Sequence, residues 1–309
     1  MVNRTLTFTM TAYSAMDSYK HGMLCVFLLL YVTILVLNST VVGVIYQNKE
    51  LHQPMNMFTC MLSVNEIYGS TALLPSTMVV LLVQNHQISV RWCRAQVFFL
   101  HTYASAEFSI LGVMGYDRYM AICNPLHYHT VMSQSKVCRL AILAGLYPLI
   151  MFGGFYCLTS QLSFCVKVIP KLYCSNMELV KTSCYNAPYI NFVGFIMIIL
   201  LIFPHLIMVF FSYAHIAKVC RKLSKESQTK ALNTCIPHLL SLVNYSIGAM
   251  FELLQARFNI NHLAVEVRTF MSLYFLIFPA IINPVLYALG IQLVRVYILK
   301  LFMKSKIQT

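Results

Sequence analysis

The sequence contains little charge, and acidic side chains are especially scarce. Charged residues make up 10% of the 309-residue chain, and Asp and Glu together number nine, whereas soluble domains carry about 25% charged residues. A soluble globule needs more charge than this to solvate its surface. Together with 59% hydrophobic residues and a mean hydropathy of +0.71, this scarcity argues against a soluble enzyme and against a disordered chain.

Familiar catalytic and nucleotide-binding motifs are missing from the sequence as well. It has no H-E-x-x-H, no P-loop and no G-x-S-x-G segment, the marks of zinc hydrolases, nucleotide-binding proteins and serine hydrolases. Its ten histidines are scattered, and the spacing of His127 and His129 does not suit one helix face. We therefore expect a protein that is not an enzyme and that requires no cofactor.

Long apolar stretches dominate the sequence instead. About 20 uncharged residues suffice to cross the hydrocarbon core as a helix, and the first stretch has no charge at all. Seven stretches are present, near 22–46, 56–83, 95–120, 139–158, 188–217, 231–256 and 269–291. They predict an all-α membrane protein with a single domain over residues 1–309, a seven-transmembrane helix bundle. The extracellular tail is expected at 1–21, and the cytoplasmic tail, with a short amphipathic helix after the seventh span, at 292–309.

Basic residues indicate how this bundle is oriented. The net charge is +13, and with the N-terminus outside, thirteen Lys and Arg fall on the inner side and nine on the outer side. Cytoplasmic loops carry an excess of Lys and Arg, so we expect the N-terminus outside and the C-terminus inside. The surplus then marks topology and not nucleic-acid binding. An outer N-terminus makes Asn3 a glycosylation site, and residues 218–230 become either a solvated inner loop or a docking surface for an acidic cytosolic partner.

Four of the eleven cysteines fall in segments that this topology places outside. They are Cys93, Cys165, Cys174 and Cys184. Four cysteines in an oxidising compartment can form two disulfides, and three pairings are possible from the sequence alone.

Two acidic residues lie near the middle of their apolar stretches, where a charge is costly and indicates a functional site. If Glu66 and Glu107 face each other, both cannot remain ionised without a cation. The pair then either shares a proton or binds a small cation such as Na⁺. The alternative is that each acid separately forms hydrogen bonds, with Ser63, Asn65 and Asn38 available.

The end of the third stretch carries the most specific segment of the chain. By itself the step Asp117-Arg118 is a weak signal, because adjacent residues on a helix point in different directions. Residues 114–128, however, read MGYDRYMAICNPLHY and closely resemble the MAYDRYVAICxPLHY signature of odorant receptors, which are rhodopsin-like G-protein-coupled receptors. Further segments resemble the family in order along the chain: Pro54-Met55-Asn56 and Leu62-Ser63 (PMY…LS), Ser212-Tyr213 (SY), 230–239 (KAxxTCxxHL) and 279–287 (the Asn-Pro-x-x-Tyr end of the seventh span).

The chain also departs from the family pattern. Glu66 stands where the family usually has Asp, and Gly115 replaces the usual Ala. In the first span, Asn38 is followed by Ser39 in a motif that Gly usually precedes. The Phe-Tyr of the sixth span is not matched cleanly near Tyr245, and the C-terminal tail lacks a cysteine. These departures resemble the variation among fish-type odorant receptors.

The resemblance implies roles for particular residues. It implies the disulfides Cys93–Cys174 and Cys165–Cys184, and it makes Glu66 and Glu107 a sodium-site pair. Asp117 would hold Arg118 at rest and release it as the sixth span swings outward. The remaining switch residues that the resemblance implies are Tyr119, Tyr213, His238, Asn283, Pro284 and Tyr287.

A ligand pocket between the helices is expected near their outer ends. Pockets of this kind are mainly apolar with a few placed polar groups. The residues expected to line it are His101, Ala104, Ser105, Phe108, Met197, Leu201, Ala249, Glu252, Leu253, Arg257 and Leu276. His101 and Arg257 could clamp an anionic head group, since the Arg fork matches a carboxylate. Alternatively, Arg257 forms a salt bridge with Glu252 or extends to the membrane interface.

The function implied by the resemblance is that of an odorant receptor in the plasma membrane of olfactory sensory neurons. It would bind a small-molecule odorant and activate a heterotrimeric G protein of the olfactory stimulatory type, which raises cAMP. Its other contacts would be membrane lipids, with no nucleic acid among its partners. A receptor for a non-odorant small molecule and a membrane transporter are the alternatives, although a transporter favours inverted repeats that the sequence does not have.

Overall fold

The computed structural model describes residues 6–185, 188–258, 263–290 and 294–297. Within these ranges, seven helices of 26 to 34 residues occupy the regions of the seven apolar stretches. The helices are α1 (Lys20–Gln47), α2 (Pro54–Leu82), α3 (Val90–Cys123), the short α4 (Tyr128–Val131), α5 (Gln134–Ser160), the short α6 (Asn176–Lys181), α7 (Pro188–Cys220), α8 (Lys225–Arg257) and α9 (Val265–Gly290).

Six of the described helices are long and apolar enough to cross a membrane. The exception among the seven long helices is α2, which has sufficient length at 29 residues but carries the polar side chains Asn56, Asn65 and Glu66. On the outside of the bundle, large apolar side chains face away from the protein, as Phe203, with an exposed fraction of 52%, and Phe210, with 78%, show on α7. Exposed apolar surface of this extent is typical of membrane contact.

Helix α3 runs through the middle of the bundle. It packs against α2, α5, α7 and α8, while α9 closes the other side against α1, α2 and α8. Because α3 is surrounded, its polar side chains Glu107 and Asp117 are fully buried, and each needs partners from a neighbouring element. The site described below consists largely of those partners.

The end of the bundle that holds the N-terminal residues is more ordered than a polar tail would suggest; we call it the outer end, after the expected orientation, and the opposite end the inner end. Strands β1 (Thr7–Met10), β2 (Gln87–Ser89) and β3 (Val168–Ile169) form a small sheet in the order β2-β1-β3, with β1 antiparallel to β2 and parallel to β3. A 3₁₀ helix (Thr11–Tyr19) follows β1, and its Tyr13 hydroxyl donates to the Leu172 carbonyl at 2.7 Å. The all-α expectation therefore describes the bundle and not this outer cap, and residues 7–19 are not an irregular tail.

The basic segment 218–230 is mostly helical. Helix α7 continues to Cys220, and α8 begins at Lys225. The connection between them therefore consists of residues 221–224 alone. The alternative of a solvated loop over all thirteen residues is wrong. After α9, Val294–Tyr297 is helical; the rest of the amphipathic helix expected there, like Asn3, lies outside the described residues.

A close approach between α2 and α3 gives a stability prediction. A Cβ atom on Gly69 would overlap the ring of Tyr103, whose hydroxyl donates to Glu66 Oε2 at 3.0 Å. Gly69→Ala should displace this ring and lower the free energy of unfolding by about 1–3 kcal/mol, which a melting curve of purified receptor measures. Gly43→Ala is the control, because nothing lies within 4 Å of the position of its added Cβ. An unchanged melting temperature for Gly69→Ala would contradict the packing described.

Candidate ligand pocket and switch

A cavity of about 200 Å³ opens between the outer halves of α3, α5, α7, α8 and α9. All eleven residues that the sequence predicted for a ligand pocket line it: His101, Ala104, Ser105, Phe108, Met197, Leu201, Ala249, Glu252, Leu253, Arg257 and Leu276. Further lining residues were not anticipated, and seven of them come from α5 and from the outer loop between α5 and α7, which includes α6: Phe152, Phe155, Tyr173, Ser175, Asn176, Met177 and Val180. The walls are thus largely apolar with a few polar side chains at the outer end, the usual composition of a small-molecule pocket.

Tyr245 of α8 contacts three residues that line the cavity. Its hydroxyl donates to the Ala104 carbonyl at 2.8 Å, and its ring contacts Phe108, with the centroids 4.9 Å apart, and Phe275, at 5.2 Å. Because Ala104, Phe108 and Phe275 all line the cavity, a change in its contents bears directly on the packing between α3 and α8.

His101 is fixed within the wall of the cavity. Its Nδ1 lies 2.9 Å from the Val97 carbonyl, and its ring stacks on Phe152 with the centroids 4.7 Å apart. A carbonyl oxygen only accepts, so Nδ1 carries a hydrogen and the neutral ring has its lone pair on Nε2. In this form His101 accepts a hydrogen bond through Nε2 and does not donate one to an anion.

Glu252 and Arg257 do not form the salt bridge considered from the sequence. Lys171 of the outer loop reaches Glu252 instead, with Nζ 2.8 Å from Oε2. The Arg257 guanidinium lies over the Phe195 ring, 5.9 Å from its centroid, and in the described parts of the chain it has no carboxylate partner within 4 Å. Arg257 therefore presents its charge to the cavity without an anion of its own.

Two disulfides hold the outer loop over the cavity. Cys93 at the start of α3 is bonded to Cys174, and Cys165 is bonded to Cys184; the Cα atoms lie 5.4 Å and 4.8 Å apart. The Cys174 amide also donates to Gln96 Oε1 at 2.9 Å. The lining residues that follow Cys174 are positioned by this anchor, so their approach to the cavity depends on a contact between distant parts of the sequence.

Below the cavity, Glu66 and Glu107 belong to one buried network. The Asn283 amide donates to Oε1 of Glu66 at 2.7 Å and to Oε1 of Glu107 at 3.0 Å. Asn65 donates to Glu107 Oε2 at 2.8 Å, and Tyr103 donates to Glu66. The structure thus brings the two acids to a common partner, Asn283, while Asn65, one of the separate partners that the sequence allowed, also donates to Glu107.

The donor set of this network suits a small hard cation, which prefers oxygen ligands. Two buried amide oxygens, Asn283 Oδ1 and Asn38 Oδ1, lack hydrogen-bond partners in the described ranges. No group of three or more His, Cys, Asp or Glu side chains is arranged as a metal site among the described residues. A cation here would therefore rely on the two carboxylates together with the amide oxygen of Asn283, which belongs to the network.

At the inner end of α3, Asp117 holds Arg118 in place. Arg118 Nη2 donates to Asp117 Oδ2 at 2.7 Å, and the Tyr128 hydroxyl from α4 donates to Oδ1 at 2.8 Å. Burial and the neighbouring Asp117 carboxylate raise the pKa of Tyr128, so its hydroxyl stays protonated and remains a donor. Arg118 Nε is buried without a hydrogen-bond partner in the described parts of the chain, and the side chain lines an inner cavity of about 590 Å³.

A second inner contact joins α7, α8 and α3. The Tyr213 hydroxyl lies 2.7 Å from His238 Nδ1, and His238 Nε2 lies 2.8 Å from the Leu111 carbonyl. Since the carbonyl only accepts, His238 donates through Nε2 and accepts from Tyr213. Tyr287 on α9 lies in the wall of the same inner cavity as Arg118, and its hydroxyl contacts Met114 Sδ at 4.0 Å.

The other switch residues implied by the resemblance lie close to these contacts. Asn283 belongs to the buried network, and the adjacent Pro284 is buried within α9. Tyr119 is half-buried, and its ring contacts His215 on α7 with the centroids 5.8 Å apart. The proposed switch residues are therefore spread over α3, α7, α8 and α9, at the middle and the inner end of the bundle.

Comparison with known proteins identifies the family. The sequence profile of the olfactory receptor family matches residues 27–305. The chain belongs to the olfactory receptor family. It is similar to human olfactory receptor 51G1, with 29% identity over 299 residues that cover 96% of this chain and 92% of that protein. It is likewise similar to human olfactory receptor 51L1, with 30% identity over 294 residues that cover 92% of this chain and 91% of the relative.

Membership confirms the resemblance found in the motifs and excludes enzymatic activity, because this receptor family is not enzymatic. Together with the six apolar helices, it makes the receptor a multi-pass membrane protein. The family implies odorant ligands and coupling to G proteins and no required cofactor. The fish-type subgroup stays a prediction.

Proposed function

We propose that the receptor binds a small-molecule odorant in the outer cavity and activates a heterotrimeric G protein of the olfactory stimulatory type, which raises cAMP. The observation that carries the proposal is a pair of cavities with a buried polar network between them. Tyr245 contacts three residues that line the outer cavity, the network of Glu66, Glu107 and Asn283 lies in the middle of the bundle, and Arg118 lines the inner cavity.

The proposed topology has seven spans with the N-terminus outside, in the plasma membrane of olfactory sensory neurons. Helix α2 counts as a span because Asn65 and Glu66 are turned to α3 and α9 and not to lipid, and Asn56 donates to the Leu51 carbonyl. The two disulfides lie at the end of the bundle that holds the N-terminal strand, as expected for the oxidising side. The inner excess of Lys and Arg, thirteen against nine, supports the same orientation.

The proposed ligand carries an anionic head group and an apolar body. Arg257 offers a planar fork that matches a carboxylate in two hydrogen bonds, while side chains such as Phe108, Met197 and Leu201 provide an apolar wall. The neutral form of His101 accepts a hydrogen bond from a ligand hydroxyl or N–H group.

Activation is proposed as a shift between two arrangements of the bundle. Ligand on the outer side and G protein on the inner side each favour the arrangement in which α8 has moved outward, so each must strengthen the binding of the other. In the resting arrangement Asp117 holds Arg118, and His238 ties α8 to Tyr213 and α3. Once α8 moves, Arg118 is free to contact the G protein, with Tyr213 and Tyr287 supporting it.

A screen in cells tests the proposed function. Cells that express the receptor with a cAMP reporter are exposed to a panel of acidic, neutral and basic small molecules, and mock-transfected cells receive the same panel. We expect acidic compounds to give concentration-dependent cAMP responses in the cells that express the receptor and no response in the mock-transfected cells. Surface staining establishes that the receptor reaches the membrane, and a surface-expressed receptor that responds only to basic or neutral compounds would contradict the anionic ligand while leaving the receptor function intact.

The buried acids give a separate proposal about sodium. If Na⁺ binds between Glu66 and Glu107, replacing NaCl with choline chloride at equal ionic strength should shift the agonist EC50 of the parent receptor by about fivefold or more, the usual size of an allosteric coupling. Glu107→Gln should remove this shift, and Glu66→Gln likewise. Glu226→Gln, which changes an exposed inner acid, is the control that keeps it. A parent receptor without any sodium dependence would favour a shared proton.

A further inference from the structure

The outer loop places a buried cation, Lys171, against residues that line the cavity. Lys171 and Glu252 form an ion pair at 2.8 Å, and their side chains are only 6% and 13% exposed. The Lys171 ammonium also lies over the Tyr173 ring, 5.5 Å from its centroid, and Tyr173 lines the cavity together with Glu252. Glu252 therefore lines the cavity, and the buried Lys171 contacts two of the lining residues without lining the cavity itself.

The position of Lys171 is fixed by two contacts of the residues that follow it in the chain. Immediately after it, the Leu172 carbonyl accepts from Tyr13 of the N-terminal 3₁₀ helix at 2.7 Å, and Cys174 is bonded to Cys93 of α3. The loop is thus held against the bundle by contacts that do not involve Glu252. Because of these contacts, removing the ion pair changes the charge at the cavity without releasing the loop.

The charges around the cavity explain why this pair matters. Glu252 and Arg257 are five residues apart on α8, a rise of about 7.5 Å along the helix, and both line the cavity. An uncompensated carboxylate at Glu252 would repel an anionic ligand and attract the Arg257 guanidinium. With Lys171 bound to Glu252, the two charges cancel, and Arg257 remains as the charge without an anion partner within 4 Å among the described residues.

We propose that Lys171 is a specificity-determining residue: by neutralising Glu252, it makes the cavity selective for anionic over cationic head groups. The inference rests on the proposed function, in which Arg257 binds the anion. It adds that the selectivity is set jointly by the loop and α8, and that Lys171 acts through Glu252 without a contact of its own to the anion.

The test compares ligands that differ only in head group. Straight-chain carboxylates and amines of four to ten carbons are assayed for cAMP responses on the parent, Lys171→Gln, Glu252→Gln and the double variant Lys171→Gln/Glu252→Gln. We expect Lys171→Gln to raise the EC50 of the best carboxylate at least tenfold and to improve the response to the matched amine. The double variant, which lacks both charges, should return the carboxylate EC50 to within about threefold of the parent value.

The double variant separates a charge effect from a structural one. If the ion pair only fastened the loop, the double variant would be as impaired as Lys171→Gln, and the inference would be overturned. Lys181→Gln is the matched control, since Lys181 pairs with Glu178 in the same loop at 2.9 Å but is half-exposed; it should leave both EC50 values unchanged. The reversed pair Lys171→Glu/Glu252→Lys should also retain carboxylate selectivity.

The inference and the proposed function can fail separately. A receptor that responds to carboxylates through Arg257 but whose carboxylate EC50 is unaltered by Lys171→Gln overturns the inference alone. A surface-expressed parent that responds to the amines and not to the carboxylates overturns both the anionic ligand and the role of Lys171.

Discussion

Replacing Arg257 by Ala is expected to abolish or severely weaken responses to acidic ligands. Removing one partner of a desolvated, hydrogen-bonded charge pair costs about 2–5 kcal/mol, so the EC50 of a carboxylate agonist should rise by roughly 30-fold to more than 1,000-fold. The effect should be large because no second cation lines the cavity among the described residues. Arg257→Lys keeps the charge but loses the planar fork of the guanidinium. We therefore expect its carboxylate EC50 to lie between those of Arg257→Ala and the parent receptor.

Dose–response curves for cAMP, normalised to surface expression, measure this effect. Arg91→Ala is the matched control, because Arg91 is an exposed arginine at the outer end of α3 and does not line the cavity. Neutral ligands such as the corresponding alcohols should be affected much less by Arg257→Ala than the carboxylates. An unaltered carboxylate curve in Arg257→Ala would disprove the role assigned to this arginine.

The pocket was predictable wherever a regular helix sets the position of a side chain. The expected stripe His101, Ala104, Ser105 and Phe108 follows helical spacing along α3, and all four residues line the cavity. Helical spacing along α8 did not predict the ion-pair partner of Glu252. That partner, Lys171, lies 81 residues away in the chain, and neither periodicity nor spacing relates the two.

The outer cap shows the same limit more clearly. Residues 7–19 are mostly polar or small and were expected to form a tail, because the sequence contains no local signal for pairing. The strand Thr7–Met10 forms only against Gln87–Ser89 and Val168–Ile169, and strand formation depends more on such distant partners than on intrinsic preference. The loop residues of the cavity, such as Tyr173 and Asn176, were missed for the same reason.

The buried acids were a case in which composition alone gave a useful prediction. Because a charge in the middle of an apolar stretch is costly, Glu66 and Glu107 were expected to share a site, and the structure joins them through Asn283. The third member could not be derived from charge, since an Asn in α9 carries none. The resemblance to the family's seventh-span motif named Asn283 as a switch residue and did not connect it with the two acids.

Arg118→Ala is expected to eliminate agonist-driven cAMP production while surface expression remains normal. Arg118 lines the inner cavity, and its only ion-pair partner in the described ranges is the neighbouring Asp117. Its removal therefore breaks no ion pair or hydrogen bond between the described helices, but it takes away a five-donor cation from the surface offered to the G protein. Arg118→Lys should retain part of the response, because the charge stays and the fork is lost.

A substitution at the partner of Arg118 should raise cAMP production where Arg118→Ala lowers it. Asp117→Asn removes the charge that holds Arg118 and weakens the acceptor of Tyr128, so the resting arrangement loses stability and cAMP without agonist should rise. Arg139→Ala, which removes an exposed cation at the inner end of α5, is the control for a general loss of inner positive charge and should signal like the parent. Full agonist responses in Arg118→Ala would show that the switch lies elsewhere. Reduced basal activity in Asp117→Asn would mean that this carboxylate supports the active arrangement and does not restrain it.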